Sequence, residues 1–218
     1  MALNDVDEDV LYDMLRNDLN GDETMRMLTR VNKYFCTGIT YLGTPAPDTA
    51  GITFPHEPTP MVVVNLTPHR DTEHLAHTIY HELRHAFDHT PHRALNTPQA
   101  KLADLINEAK TWYREMEYSI RKGGTEFQEN VMKGLITGTG TPQDPYVPLS
   151  VNGLLGLLKQ GYAQYLTESR SARFDPANYV FAGKQAFATP TSPEWRDKEN
   201  DPVWMQMWNA NLEAFRNQ

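Results

Sequence analysis

His81-Glu82-Leu83-Arg84-His85 is an HExxH sequence. Residues four apart on a helix sit one turn apart on the same face, so both imidazoles can reach one tetrahedral zinc ion. Glu82 lies about 100° round the helix, beside the metal and not on it, where its carboxylate can accept a proton from a zinc-bound water. The pattern therefore reads as two metal ligands, His81 and His85, flanking one catalytic base, Glu82. A shuffled chain of this composition would contain such a sequence about 2% of the time, so its surroundings must support it.

The composition limits what else could complete a metal site. The chain has eight histidines, and six of them (His74, His77, His81, His85, His89, His92) fall within nineteen residues. Cys36 is the only cysteine, which excludes disulfide frameworks and cysteine-based zinc or iron–sulfur sites. Any metal must be held by imidazole and carboxylate. A net charge of −8 without a basic stripe argues against nucleic acid and anionic membranes as partners. No apolar run approaches the ~18–20 residues of a membrane span, and the first residues carry no Sec-type signal. The expected location is cytoplasmic, or outside the cell after export by a dedicated system without a cleavable signal.

The 218 residues suit one domain, residues 1–218, with an α/β part over 1–96 and a mainly helical part over 97–218 completing the cleft. Two helices are predicted first, with apolar stripes at Val10, Leu11, Met14 and Leu15 and at Met25, Leu28 and Val31. Thr37 to Leu42 reads as a strand, with a shorter run at Ile52 to Phe54. Met61-Val62-Val63-Val64-Asn65-Leu66 is the best strand in the chain, bounded by Pro60 and Pro68. Asp71-Thr72-Glu73 then starts a helix that carries HExxH to about Asp88–Thr90, before Pro91. Pro98 opens a second helix, with an apolar face from Leu102 to Ile120, ended by Gly123-Gly124. Beyond it a helix is predicted over Glu126–Ile136, a loop over Gly138–Pro148, and a long helix from Val151 to about Arg170. Asp175 to Pro202 reads as mostly irregular, and a last helix, with Trp204 and Trp208, runs from Val203 to Phe215. The expected fold class is α+β.

An HExxH helix following a Val-rich strand resembles the zincin metallopeptidases, and residues 60–120 carry the likeness. The string His-Glu-Leu-Arg-His-Ala-Phe-Asp, with Glu-Ala on the next helix, is similar to uncharacterised bacterial metallopeptidases, some of them effector-like. The resemblance implies a zincin-like fold: a small mixed sheet whose edge strand lies beside the HExxH helix and can pair with an extended peptide. It also implies zinc as cofactor and a peptide or protein substrate. The Val62–Leu66 strand is the expected partner of the substrate backbone.

Two histidines leave zinc one protein ligand short before water takes the open position. His89 lies about 12 Å along the helix axis from His81, and His92 follows a proline out of register. The metzincin pattern fails, because Asp88 and Pro91 stand where it needs Gly and His or Asp. The gluzincin-like solution takes a Glu from the next helix, and Glu108 comes 23 residues after His85, within the separation the resemblance implies. Glu108 could instead be a surface carboxylate paired with Lys101. Glu115, Glu117 and His92 stay open as third ligands, with Glu129 and Glu168 on later helices.

Other residues are assigned softer parts. His77 would line the cleft or stand solvated. Asp88 or Asp104 could orient a ligand imidazole. Tyr146, Tyr162, Tyr165 and Arg170 are candidate donors to a developing oxyanion. The sequon Asn65-Leu66-Thr67 carries no expected role. The expected activity is hydrolysis of peptide bonds by Glu-assisted attack of a zinc-bound water. A non-catalytic zinc-binding protein on the same scaffold and a zinc amidase acting on a non-protein amide, such as a cell-wall crosslink, are the alternatives.

Overall fold

A strand buried on both faces needs apolar side chains at successive positions, and Met61 to Val64 supplies them: these four residues and Asn65 after them are all buried. The computed structural model describes residues 31–41, 44–54, 60–87, 98–161 and 178–181. In chain order its elements are β1 (Asn32–Tyr41), β2 (Thr44–Pro45), β3 (Gly51–Phe54), β4 (Met61–Asn65), α1 (Thr72–Phe87), α2 (Pro98–Lys122), α3 (Gly124–Met132), β5 (Ile136–Thr137), β6 (Val147–Pro148), α4 (Val151–Gly161) and β7 (Tyr179–Phe181). The result is a mixed α+β fold. The predicted helices before Val31 and after Val203, with Trp204 and Trp208, lie outside the described residues, as do Asp88, His89, His92 and Glu168.

The main sheet has the order β2-β1-β4-β3, with β7 also pairing β1. β4 runs parallel to β1, from Asn32 opposite Met61 to Cys36 opposite Asn65, and antiparallel to β3, from Gly51 opposite Val64 to Phe54 opposite Met61. β4 is thus an interior strand, and the expectation that Val62–Leu66 would receive a substrate is corrected. Its unbroken apolar run, which made it conspicuous, is what suits it to the sheet interior. Among the described residues that edge falls to β3.

Alternation along the strands divides the sheet into two faces. Tyr34, Cys36, Phe54, Met61 and Val63 form one apolar core, joined by Ile52 and Tyr179. Gly51, Thr53, Val62 and Val64 point the other way, towards α1, where Thr53 reaches Glu82. α1 buries Leu75, Ala76, Ile79, Tyr80, Leu83 and Ala86, a helical stripe. Asp71 caps its start, its Oδ1 accepting the His74 amide at 2.8 Å. On its other side α2 stacks Tyr118 on Tyr80, with ring centres 4.5 Å apart. A separate face of α2, with Leu105 and Ala109, packs on Leu154 and Leu158 of α4.

Several boundaries differ from the sequence reading. β1 starts at Asn32 and not Thr37, because its first five residues pair with β4. The helix predicted over Glu126–Ile136 ends at Met132: Gly134 takes a positive φ of 70°, and buried Ile136, read as its last residue, instead pairs in a β5–β6 hairpin whose second strand falls in the segment read as a loop. Tyr179–Phe181, in the segment read as mostly irregular, adds a short strand to β1. Gly161 is the last described residue of α4, and the rest of the helix predicted to Arg170 lies outside the described residues. Among the described residues no helix is long and apolar enough to cross a membrane.

His69 fixes the junction between β4 and α1. Its Nδ1–H donates to the Asn65 carbonyl at 2.6 Å, so its Nε2 accepts the Thr78 hydroxyl at 2.8 Å. Burial, with His74 alongside, pushes its pKa down from 6.5 to about 4. The folded-state value lies below the unfolded one, so this contribution is fully present above pH 6.5 and lost as pH falls towards 4. Roughly 3 kcal/mol of stability should disappear across that window. Urea unfolding at stepped pH should show it, and His69→Gln should flatten the profile; an equally steep profile in the variant would assign the loss elsewhere. Asn65 itself is buried, with its amide bonded to the Thr49 carbonyl at 3.0 Å.

Candidate metal centre

α1 carries His81 and His85 one turn apart, and α2 lies against it with Glu108 opposite. His85 Nε2 is 2.8 Å from Glu108 Oε2, and His81 Nε2 is 3.3 Å from Glu108 Oε1. The two Nε2 atoms are 3.0 Å apart. These three groups could hold a metal ion. Trp112, one turn on from Glu108, donates its indole N–H to Glu108 Oε1 at 3.0 Å and so fixes the carboxylate from outside the cluster.

The remaining ring nitrogens are also engaged. His81 Nδ1–H donates to Glu115 Oε2 at 2.8 Å, which leaves the Nε2 lone pair for a metal. His85 Nδ1 lies 3.4 Å from the Thr111 hydroxyl. Glu115, expected as an alternative ligand, thus stands behind His81, one shell out from Glu108. Glu115 and Thr111 thus stand where groups orienting the two imidazoles would stand; Asp88, also expected for such a part, lies outside the described residues. Glu117 pairs with Arg114 at 2.7 Å, and Glu129 pairs with Arg70 and Lys133.

Burial alone would pull the His81 pKa down, but Glu108 and Glu115 beside it raise it well above the usual value. Burial likewise opposes the charge on Glu108, and His85 and His81 outweigh it, holding the carboxyl well below its usual range. A buried cation is favoured here, whether proton or metal.

Glu82 leaves the helix on the sheet side. Its Oε2 accepts the Thr53 hydroxyl at 2.6 Å, and Glu82 is buried. His77, expected to line the cleft or stand solvated, is buried, edge-on to Tyr118 with ring centres 4.9 Å apart. Its Nδ1 is 3.9 Å from Glu115 Oε1, and among the described residues neither ring nitrogen has a hydrogen-bond partner. Burial pushes its pKa down. Tyr146 packs edge-on against Phe127, while Tyr162, Tyr165 and Arg170 lie outside the described residues.

No protein-family model, curated protein or solved structure matches the chain. The geometry of the cluster and its neighbours therefore carries the functional reading alone. Thr53, Thr111 and the orienting part of Glu115 escaped the sequence reading. Thr53 carried one signal in the sequence: in a short strand, Gly51 and Thr53 are the small residues of one face.

Because Glu115 fixes the ring and tautomer of His81, Glu115→Ala should weaken metal binding by about ten- to a hundredfold. Competition against a chromophoric chelator measures this. An unchanged affinity would show that the Glu115–His81 bond does not support the site.

Proposed function

We propose that the chain is a zinc-dependent metallopeptidase of zincin-like, gluzincin-like architecture. The observation that carries this reading is the convergence of His81 and His85 from α1 with Glu108 from α2, while Glu82, between the two histidines, sits against the edge strand β3. A tetrahedral zinc with bonds of about 2.0–2.1 Å sets its ligand atoms about 3.3 Å apart. In the metal-free cluster the contacts are 2.8, 3.0 and 3.3 Å, with the two Glu108 oxygens each facing a different imidazole, so a zinc ion would seat itself by a small opening of groups already gathered together. The donor set, two imidazoles and one carboxylate, suits a catalytic zinc with one position open.

Zinc bound there would supply a Lewis acid, acidifying a water and polarising the scissile carbonyl. The chain's own residues do the rest. Glu82 takes the proton of the attacking water and returns it to the leaving amine nitrogen. Glu115 and Thr111 hold the imidazoles, and Trp112 holds Glu108.

β3 supports a peptide as substrate. Among the described residues no strand pairs with its outer edge. The Asn65 amide donates to the Ala50 carbonyl at 2.9 Å, so in an antiparallel ladder Gly51 and Thr53 turn their own amides and carbonyls outward. An extended substrate could bond to them as an added strand beside Glu82. The test is mass-spectrometric analysis of a peptide library incubated with the zinc-loaded chain and with its Glu82→Gln variant. Cleavage by the wild type alone is expected; a library left uncut by the zinc-loaded wild type would overturn the reading.

A further inference from the structure

Thr53 and Gly51 lie two residues apart on β3 and therefore share the face turned towards α1. Both meet the same side chain. The Thr53 hydroxyl is 2.6 Å from Glu82 Oε2 and 2.9 Å from the Glu82 carbonyl oxygen. It has one proton, and the charged carboxylate is the stronger acceptor. A Cβ on Gly51 would lie 2.6 Å from Glu82 Cγ and 2.8 Å from Oε1. Glycine is needed there for space: any larger residue would push the Glu82 side chain out of its place.

We infer that Thr53 is a positioning residue: its hydroxyl, across the gap left by Gly51, fixes the Glu82 carboxylate so that one oxygen is anchored to the edge strand and the other is free to serve as base. The inference rests on the proposed peptidase reading, because it assigns a purpose to Glu82. It also ties the base to the strand that would receive the substrate. The residues whose backbones face an added strand are those whose side-chain positions set the base.

The probe is acetohydroxamic acid, which chelates a metal through its two oxygens and shares its acidic proton with an adjacent carboxylate. Its affinity for the full chain loaded with cobalt can be followed in the visible spectrum, without knowledge of the natural substrate. Thr53→Val keeps the shape and removes the hydroxyl; it should retain one cobalt per chain and bind the probe about tenfold more weakly. Thr53→Ser should bind within about twofold of wild type, since it keeps the donor. Gly51→Ala should weaken binding with the Thr53 hydroxyl intact, which covers the case in which Thr53→Val fails to fold. In a Glu82→Gln background Thr53→Val should add no further loss.

Equal affinity in Thr53→Val and wild type, with Glu82→Gln weakened, would overturn the inference and leave the peptidase reading standing. A Thr53→Val loss that persists undiminished in the Glu82→Gln background would also overturn it, since Thr53 would then act by another route. Wild-type affinity in Glu82→Gln alone would overturn the peptidase reading, because Glu82 would not face the metal.

Discussion

Replacing Glu108 by alanine is expected to weaken zinc binding by more than about a hundredfold, a larger loss than removal of any orienting group produces. The carboxylate reaches both imidazoles, at 2.8 and 3.3 Å, so its loss removes the proposed third ligand and the negative charge that favours a cation among them. Glu115→Ala should fall between this variant and wild type, and Glu117→Ala should match wild type, because Glu117 is paired with Arg114. Zinc content after dialysis and chelator competition give the ranking. A Glu115→Ala loss exceeding that of Glu108→Ala would move the third-ligand role to Glu115.

The same cluster sets the pH dependence of metal uptake. His81 is protonated in the metal-free chain well above the ordinary imidazole range, so zinc must displace that proton. Below the metal-free pKa of His81, zinc affinity should therefore rise about tenfold per pH unit, with one proton released per ion. In Glu108→Ala the slope should end at a lower pH, since the carboxylate that holds the proton is gone. Calorimetry in buffers of differing ionisation enthalpy would count the proton.

How much of this was legible in the sequence depends on whether the signal was local. The i, i+4 histidines, the Asp71 cap and the Pro98 start depend on neighbours within a turn or two, and α1 and α2 lie within a few residues of their expected bounds. The position of β4 in the sheet depended on partners far along the chain. Val62 to Val64 pointed to a buried strand, but nothing local told an edge from an interior, and the inconspicuous Gly51–Phe54 became the edge. α2 misled in another way. Its apolar residues were read as one broad face, yet only part of that face, with Leu105 and Ala109, meets α4. Asn107, Thr111, Tyr118 and Ser119 are buried too, and polar residues on a helix do not register as core. Thr111 supports His85 from among these polar positions, and Glu115 supports His81 from the same helix. The orienting parts of Thr111 and Glu115 could not be read from α2 alone, because the imidazoles they meet stand on α1.

Glu82→Gln is expected to retain one zinc per chain and to lose hydrolysis by about a hundred- to ten-thousandfold, the usual contribution of a positioned general base. The substitution keeps the size of the side chain and leaves His81, His85 and Glu108 untouched, so metal content should not change. Gln can still accept the Thr53 hydroxyl through its amide oxygen, so the contact with β3 persists and the variant should fold. What disappears is the capacity to take a proton from water at neutral pH. The paired measurement is decisive because the two functions proposed for the HExxH sequence rest on adjacent residues that face different ways: His81 turns towards α2 and Glu108, Glu82 towards the sheet edge. A scaffold that merely stored zinc would need the first and have no use for the second. Full activity in Glu82→Gln would dismiss Glu82 as the base, whereas loss of zinc along with activity would mean that the variant had disturbed the ligands and tested nothing about proton transfer. Thr53→Val should reproduce part of the catalytic loss at unchanged zinc content, since a base that keeps its charge but loses its anchor is present less often in the productive position.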